Sequence, residues 1–291
     1  MRVGGIVLPG GVGMRYVMAG LLAWSAVMFG QDREPSSKGV NFYSLEKEVE
    51  IGRQAAATLA VALPFVHEAR LEAYVARLGA ALAEHADHEF TYSFSIYEDR
   101  KVAAAVPVGM AMPADAFQGR QKEPVALPGG PILLPMSVLA GAGNEAELAF
   151  QLAHAMAHVA LRHGTRRATR EQLFTMASIN LPNVSVPNRP AVAGDVYRVG
   201  LLKLARDCEI DADHVAIRII AAAGYDPEAA TRFLSLATSD GSQAFKMFSA
   251  HPLNSVRLEA LRLAREKLPS RKYSAANGEF AEIEALAATV R

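Results

Sequence analysis

The feature that most constrains this chain is the segment LAHAMAHVALRH at residues 152–163, which carries two histidines four residues apart. Its alanine and leucine content favours an α-helix. On a helix this spacing places His154 and His158 on one face, one turn apart, where both imidazoles can bind one tetrahedral metal ion. Histidines at this spacing also occur on helices that bind nothing, so the pair alone does not establish a metal site.

A second helical segment, DCEIDADHVA at residues 207–216, repeats the spacing with carboxylates. Glu209 would complete a site of two histidines and one carboxylate with an open fourth position. Asp213, one turn further along, would accept the N–H of a ligand histidine. The alternative is a solvated acidic face. Together the two segments predict two long helices, over residues 144–167 and 195–223, that hold a metal ion between them.

Two further histidines are expected to face away from this site. His163 follows His158 by five residues and His214 follows Glu209 by five, which is about 140° round a helix in each case. Both are therefore predicted to pack in the core or to lie on the surface.

Charge and composition exclude several classes of protein. The chain has 291 residues, 51% of them apolar, with 30 basic and 30 acidic side chains. The apolar content excludes a disordered chain, and the balanced charge argues against a nucleic-acid binder that works through a basic surface. The single cysteine, Cys208, excludes an internal disulfide and a zinc cage made of cysteines.

The N-terminus has the pattern of a targeting segment. Arg15 precedes the uncharged run YVMAGLLAWSAVMFG, which ends at Gly30 before the polar QDREPSSK. A basic start, a short apolar run and a polar exit are typical of a secretory signal peptide. We expect residues 1–30 to be a signal peptide, with a retained membrane anchor at residues 16–30 as the alternative, followed by a polar linker over residues 31–41. The protein would then be exported, either to the periplasm or out of the cell.

The rest of the chain predicts a mostly helical α+β domain over residues 42–291. Ser44, followed by Glu46 and Glu48, is typical of a helix N-cap with an acidic first turn. The hydrophobic pattern predicts a helix over residues 64–85, strands over residues 90–97 and 131–136, and further helices in the C-terminal tail.

These blocks together resemble the gluzincin zinc metallopeptidases, the family of HtpX, the CAAX prenyl protease and the periplasmic BepA-like proteins. The resemblance runs from about Phe42 to the C-terminus. It rests on SLEKEVEIGRQ, ALPGGPILLP, NEAELAFQLAHAMAH, EIDAD with AGYDP, and HPLNSVRLEAL, which occur in the family's order. It implies a zincin-like metallopeptidase domain with a small sheet and two long metal-bearing helices, one Zn²⁺ per chain, and a protein or peptide substrate.

The resemblance also implies roles for single residues around the metal. His154, His158 and Glu209 would be the zinc ligands, and Asp213 the acid that supports them.

On the substrate side, the resemblance implies that His251 stabilises the oxyanion and that Arg257 is the arginine that usually follows it. Their alternatives are a surface histidine and an arginine on a helix face. The segment Pro131–Met136 would be an exposed edge strand that pairs with a peptide substrate, a form of β-augmentation. The substrate-binding residues in it would be Ile132, Leu133 and Leu134.

The chain departs from the family at the position that carries catalysis. The zinc-hydrolase motif is H-E-x-x-H, and its glutamate is replaced here by Ala155. In a zinc peptidase that glutamate takes a proton from the metal-bound water and returns it to the leaving amine, which an alanine cannot do. Zinc binding should survive, because the glutamate is not a ligand, whereas cleavage should be nearly lost.

Two interpretations of the function therefore stay open. The chain is a metalloendopeptidase of exported or envelope proteins, with its activity abolished by a natural or an engineered substitution at Ala155. Alternatively, it is a zinc-binding pseudo-protease that acts as a peptide-binding or chaperone-like module. The segment PVALPGG also differs from the Asn-Ala-Phe-Ala that the family usually has before its paired glycines.

Overall fold

The structure, a computed structural model, describes residues 39–86, 89–99, 123–179, 190–237, 254–274 and 278–290. The predicted signal peptide and most of the predicted linker lie outside these residues, as does His251. Most of the described chain is helical, with one small sheet, as the sequence predicts. The helices are α1 (Leu45–Ala62), α2 (Ala69–Ala83), α3 (Met136–Leu139), α4 (Glu145–Ala160), α5 (His163–Ile179), α6 (Pro190–Ala222), α7 (Glu228–Ala237), α8 (Asn254–Glu266) and α9 (Phe280–Thr289). The strands are β1 (Ser93–Tyr97), β2 (Val125–Ala126) and β3 (Pro131–Pro135).

Two helices that position the site begin where short-range side-chain caps satisfy their first amide groups. The hydroxyl of Ser44 accepts a hydrogen bond from the backbone N–H of Lys47 at the start of α1. The side chain of Asn144 caps α4 in the same way, accepting from the backbone N–H of Glu147 at 3.0 Å. Such caps supply partners for amides that the helix itself leaves unpaired, so the first residues of both helices follow from local sequence.

The sheet has the order β1-β3-β2, with β1 parallel and β2 antiparallel to β3. A turn through Gly129 and Gly130, with φ of 76° and 124°, reverses the chain between β2 and β3. Residues with a side chain rarely adopt this left-handed backbone conformation, which glycine adopts freely. The hairpin therefore places β2 along one side of β3, and β1 takes the other side.

The predicted edge position of Pro131–Met136 is wrong, because β3 is the central strand. Its side chains alternate between two apolar clusters: Ile132 and Leu134 pack into the main core, and Leu133 packs into a smaller cluster beneath α1. All three are at most 2% exposed. Ile132 and Leu133 have strand partners on both sides. Since all three side chains are also buried, this segment is not the exposed edge strand that the prediction requires.

The predicted continuous helix over residues 144–167 is also wrong. Helix α4 ends at Ala160 and α5 begins at His163, with Arg162 between them at φ 58°. The guanidinium of Arg162 donates to the buried carboxylate of Glu48 at 2.7 Å and to the carbonyl of Tyr43 at 2.5 Å. Tyr43 lies just before α1 and Glu48 in its first turn, so the break depends on tertiary contacts.

Helix α4 crosses the core and is buried along nearly its whole length. It packs most extensively against α6 and also contacts α2 and β2. Within the part of the chain that the structure describes, no helix has both the length and the apolar character needed to cross a membrane.

Candidate metal centre

Helices α4 and α6 bring three ligand-type side chains together. His154 and His158 stand one turn apart on α4, and Glu209 faces them from α6. The Nε2 atoms of the two histidines are 3.0 Å apart. The carboxylate oxygens of Glu209 lie 3.5 Å from Nε2 of His154 and 3.7 Å from Nε2 of His158.

These separations fit a shared metal ion. Donor atoms about 2.0–2.2 Å from one tetrahedral zinc stand about 3.3–3.6 Å apart, close to the three distances observed. No other group of three or more histidine, cysteine or acidic side chains with this geometry occurs among the described residues. Two imidazoles and one carboxylate leave the fourth position of a tetrahedron open, which is the donor set of catalytic rather than structural zinc sites.

A buried ion pair supports His154 from behind. The Nδ1 atom of His154 is 3.0 Å from the carboxylate of Asp213. Arg257, on α8, donates two hydrogen bonds of 2.7 Å to the same carboxylate. Its third nitrogen, Nη1, is 3.4 Å from Glu209. Arg257 is 2% exposed, so it is not the solvated helix-face arginine of the alternative reading, and its contacts position both acids.

The charges of the site separate the pKa values of the two histidines. Burial alone would lower the pKa of His154, but hydrogen bonds to Asp213 and Glu209 and their charges raise it to about 10. Burial and the nearby charge of His154 lower the pKa of His158 to about 4. In the metal-free site a proton on His154 therefore offsets the carboxylates, and a metal ion must displace it.

His163 does not face away from the site, which corrects the prediction from helix geometry. Its Nδ1 atom is 3.0 Å from Nδ1 of His158. The rings meet edge to face at 76°, with centroids 4.9 Å apart. Since the helix breaks at Arg162, the angular offset of a continuous helix does not apply. Burial lowers the pKa of His163 well below its usual value. His214, half-buried on α6, has no contact with the three ligand atoms in the described part of the structure.

No carboxylate on α4 replaces the missing general base. Ala155 is 1% exposed and offers only a methyl group beside the candidate ligands. Glu147 is engaged two turns away, where it accepts from the backbone N–H of Gly143 at 3.0 Å and lies 3.4 Å from Arg232.

Sequence reasoning missed one acid near the site. Glu123, just before β2, lies 3.9 Å from Nη1 of Arg257 and is one-third exposed. It links the start of β2 to the guanidinium that also contacts Glu209. Since Glu123 and Arg257 are 134 positions apart along the chain, no spacing rule could have paired them.

Comparisons with known proteins agree on one family. The profile described as peptidase family M48 matches residues 69–265. The beta-barrel assembly-enhancing protease of Yersinia pestis is 27% identical over 262 residues, which are 84% of this chain and 49% of the relative. The protein of the same name from Escherichia coli (strain K12) is 24% identical over 74% of this chain and 43% of its own length. The mitochondrial metalloendopeptidase OMA1 of Arabidopsis thaliana is 27% identical over 46% of this chain and 28% of its own length.

The match to the first two relatives is partial in one respect. This chain spans about half their length. Their names therefore describe longer proteins, of which this chain matches one part.

Proposed function

Because the chain belongs to peptidase family M48, we propose that it is a zinc-dependent metalloendopeptidase by descent, with peptide cleavage abolished or nearly so at Ala155. One observation carries this proposal. The donor atoms of His154, His158 and Glu209 converge at metal-binding distances, while the residue between the histidines has no proton-carrying group.

The proposed ligands have separate supports within the chain. The Nδ1 atom of His154 lies 3.0 Å from the carboxylate of Asp213. A carboxylate there would accept the N–H of a metal-bound His154, orient its ring and direct Nε2 at the centre of the site. Arg257 holds Asp213 in place through two parallel hydrogen bonds. Bound at this centre, zinc would supply Lewis-acid chemistry and lower the pKa of a bound water.

The missing group is the proton carrier. General acid–base catalysis is typically worth about 10²–10⁴-fold, and cleavage of a peptide uses it twice. The described acids nearest the site have other partners, since Asp213 and Glu209 contact Arg257 and the histidines. We therefore expect negligible turnover by the chain as it stands, with zinc binding intact.

We propose that peptide substrates pair with β2 rather than with β3. β2 has β3 on one side, and among the described strands it has no partner on the other. The contact of Glu123 with Arg257 supports this choice, because it ties the start of β2 to the residues around the metal. His251 remains the proposed oxyanion residue by resemblance alone.

The proposed substrates are exported or envelope proteins. The apolar segment over residues 16–30 supports export to the periplasm or out of the cell, with membrane attachment as the alternative if this segment is retained. Relatives named for enhancing β-barrel assembly support a substrate of this class.

A second function rests on the same observation. With a complete ligand set and no general base, the chain would be a zinc-stabilised pseudo-protease that binds peptides or acts as a chaperone-like module. A natural replacement of the motif glutamate by Ala155 favours this second function, whereas an engineered replacement favours the peptidase.

The test is cleavage of casein or a peptide library by the parent, by Ala155→Glu and by Ala155→Gln. The glutamine variant matches glutamate in size but carries no base. Under the first proposal only Ala155→Glu gains activity, and a chelator abolishes it. Folded, zinc-loaded but inert Ala155→Glu protein would favour the binding module. Strong zinc-dependent cleavage by the parent would refute the proposed inactivity.

A further inference from the structure

We propose that His163 is a positioning residue that accepts a hydrogen bond from His158 and thereby holds the ring of His158 in its ligand orientation. The inference rests on the proposed metal centre. It starts from the 3.0 Å distance between the two Nδ1 atoms and the edge-to-face arrangement of the rings. His163 is 7% exposed, so water is largely excluded as a competing partner.

The direction of this hydrogen bond follows from the chemistry of a ligand histidine. A metal takes the lone pair of Nε2, so the single proton of neutral His158 must sit on Nδ1. Nδ1–H of His158 is then the donor, and Nδ1 of His163 must be the acceptor. His163 consequently carries its own proton on Nε2. The short contact therefore assigns one tautomer to each ring.

The two ligand histidines are thus supported differently. His154 has a carboxylate behind it, Asp213 at 3.0 Å. His158 has a neutral imidazole at the same distance. A second carboxylate would add negative charge to a buried site that already contains Asp213 and Glu209. A neutral acceptor orients the ring of His158 without that electrostatic cost.

The break between α4 and α5 is what makes the contact possible. In a continuous helix, residues five apart are about 140° apart round the axis. Here Arg162, at φ 58°, redirects the chain so that His163 starts a new helix facing back toward His158. The ion pair of Arg162 with Glu48 holds the redirected backbone, and Thr165 donates to the same carboxylate at 2.6 Å.

Three substitutions separate positioning from packing. His163→Asn keeps an acceptor near the position of Nδ1, because the amide oxygen of asparagine occupies that place. His163→Gln carries its amide further out, near the position of Nε2. His163→Leu keeps volume but removes every acceptor. His67→Leu is the matched control, since His67 is exposed and pairs only with Glu72 among the described residues.

The experiment measures zinc affinity by competition with a chromophoric chelator. Loss of a hydrogen-bond partner behind a metal ligand typically weakens binding about 10–100-fold. We expect that loss for His163→Leu and His163→Gln, affinity within a few-fold of the parent for His163→Asn, and no change for His67→Leu. If the leucine variant does not fold, the comparison of asparagine with glutamine decides the question.

A second readout reports the tautomers directly. Nitrogen NMR of the zinc-loaded, ¹⁵N-histidine-labelled protein should show His158 protonated at Nδ1 and His163 at Nε2. The inference is overturned if either ring has the opposite tautomer, or if the asparagine and glutamine variants bind zinc equally well. A folded parent that binds no zinc would overturn the metal centre itself, and with it this inference.

Discussion

Replacing Arg257 with methionine should destabilise the protein more than any surface substitution on the same helix. Methionine keeps much of the apolar stem of arginine but removes the guanidinium. Asp213, which is 0% exposed, then loses two hydrogen bonds of 2.7 Å. Glu209 loses a cation at 3.4 Å. The variant therefore leaves a buried carboxylate without its main counterion.

Breaking a buried ion pair from one side typically costs about 3–5 kcal/mol. The free energy of unfolding of an ordinary domain is about 5–15 kcal/mol, so this loss is a large fraction of it. For a chain of this size each kcal/mol corresponds to roughly 2–4 °C in Tm. We therefore expect Arg257→Met to melt roughly 6–20 °C below the parent by the same conversion.

The assay is urea and thermal unfolding followed by circular dichroism, in chelator. Arg262→Met is the control, because Arg262 lies on α8 as well but forms an exposed pair with Glu259. Its unfolding midpoint should match that of the parent. The double variant Arg257→Met with Asp213→Asn should be more stable than Arg257→Met alone, since no unpaired charge stays buried. If Arg257→Met unfolds at the same midpoint as Arg262→Met, the assigned burial of this ion pair is wrong.

Three further predictions address the metal content, the protonation of His154 and His158, and the N-terminus. Protein purified without chelator should contain about one zinc per chain, as a single three-ligand site implies, and His154→Ala should lose it; equal metal content in both would end the assignment. In the metal-free protein the raised pKa of His154, about 10, gives a stability contribution that is complete below the unfolded value of about 6.5 and is lost as pH rises through about 10. The lowered pKa of His158, about 4, has the opposite sign, so its contribution is lost as pH falls from about 6.5 toward about 4. Urea midpoints measured across this range should therefore decline on both sides of about pH 6.5, and the decline on the alkaline side should be absent in His154→Leu. N-terminal sequencing of exported protein should begin near Gln31, whereas an intact N-terminus in the membrane fraction would replace signal cleavage by anchoring.

Short-range patterns in the sequence were sufficient to predict part of this structure. The spacing of His154 and His158 places them on one face of α4, and the caps at Ser44 and Asn144 start their helices. Each of these features depends on atoms within four residues along the chain, where helix geometry is nearly invariant. The helical α+β class and the family follow from such local blocks taken in order. The pairing of Glu209 with the histidines was a prediction from resemblance and chemistry, and the structure brings the three together.

The remaining features depended on contacts between distant segments. The ion pair of Glu48 with Arg162 holds a break in the helix that the sequence periodicity predicts as continuous to Arg167. That break turns His163 toward His158. On a continuous helix the two residues would point in different directions. The order of the sheet puts β3 in the centre, although its apolar run is equally compatible with an edge.

The physical reason is the range of the forces involved. Hydrogen bonds of helices and caps join neighbours, so the sequence by itself determines where α1 and α4 begin and which residues share a face. Buried charges such as Glu48 and Asp213 must find a counterion wherever packing brings one. Their partners here, Arg162 and Arg257, are 114 and 44 residues away along the chain. Only the tertiary structure decides those pairings, and with them the surroundings of His154 and His158.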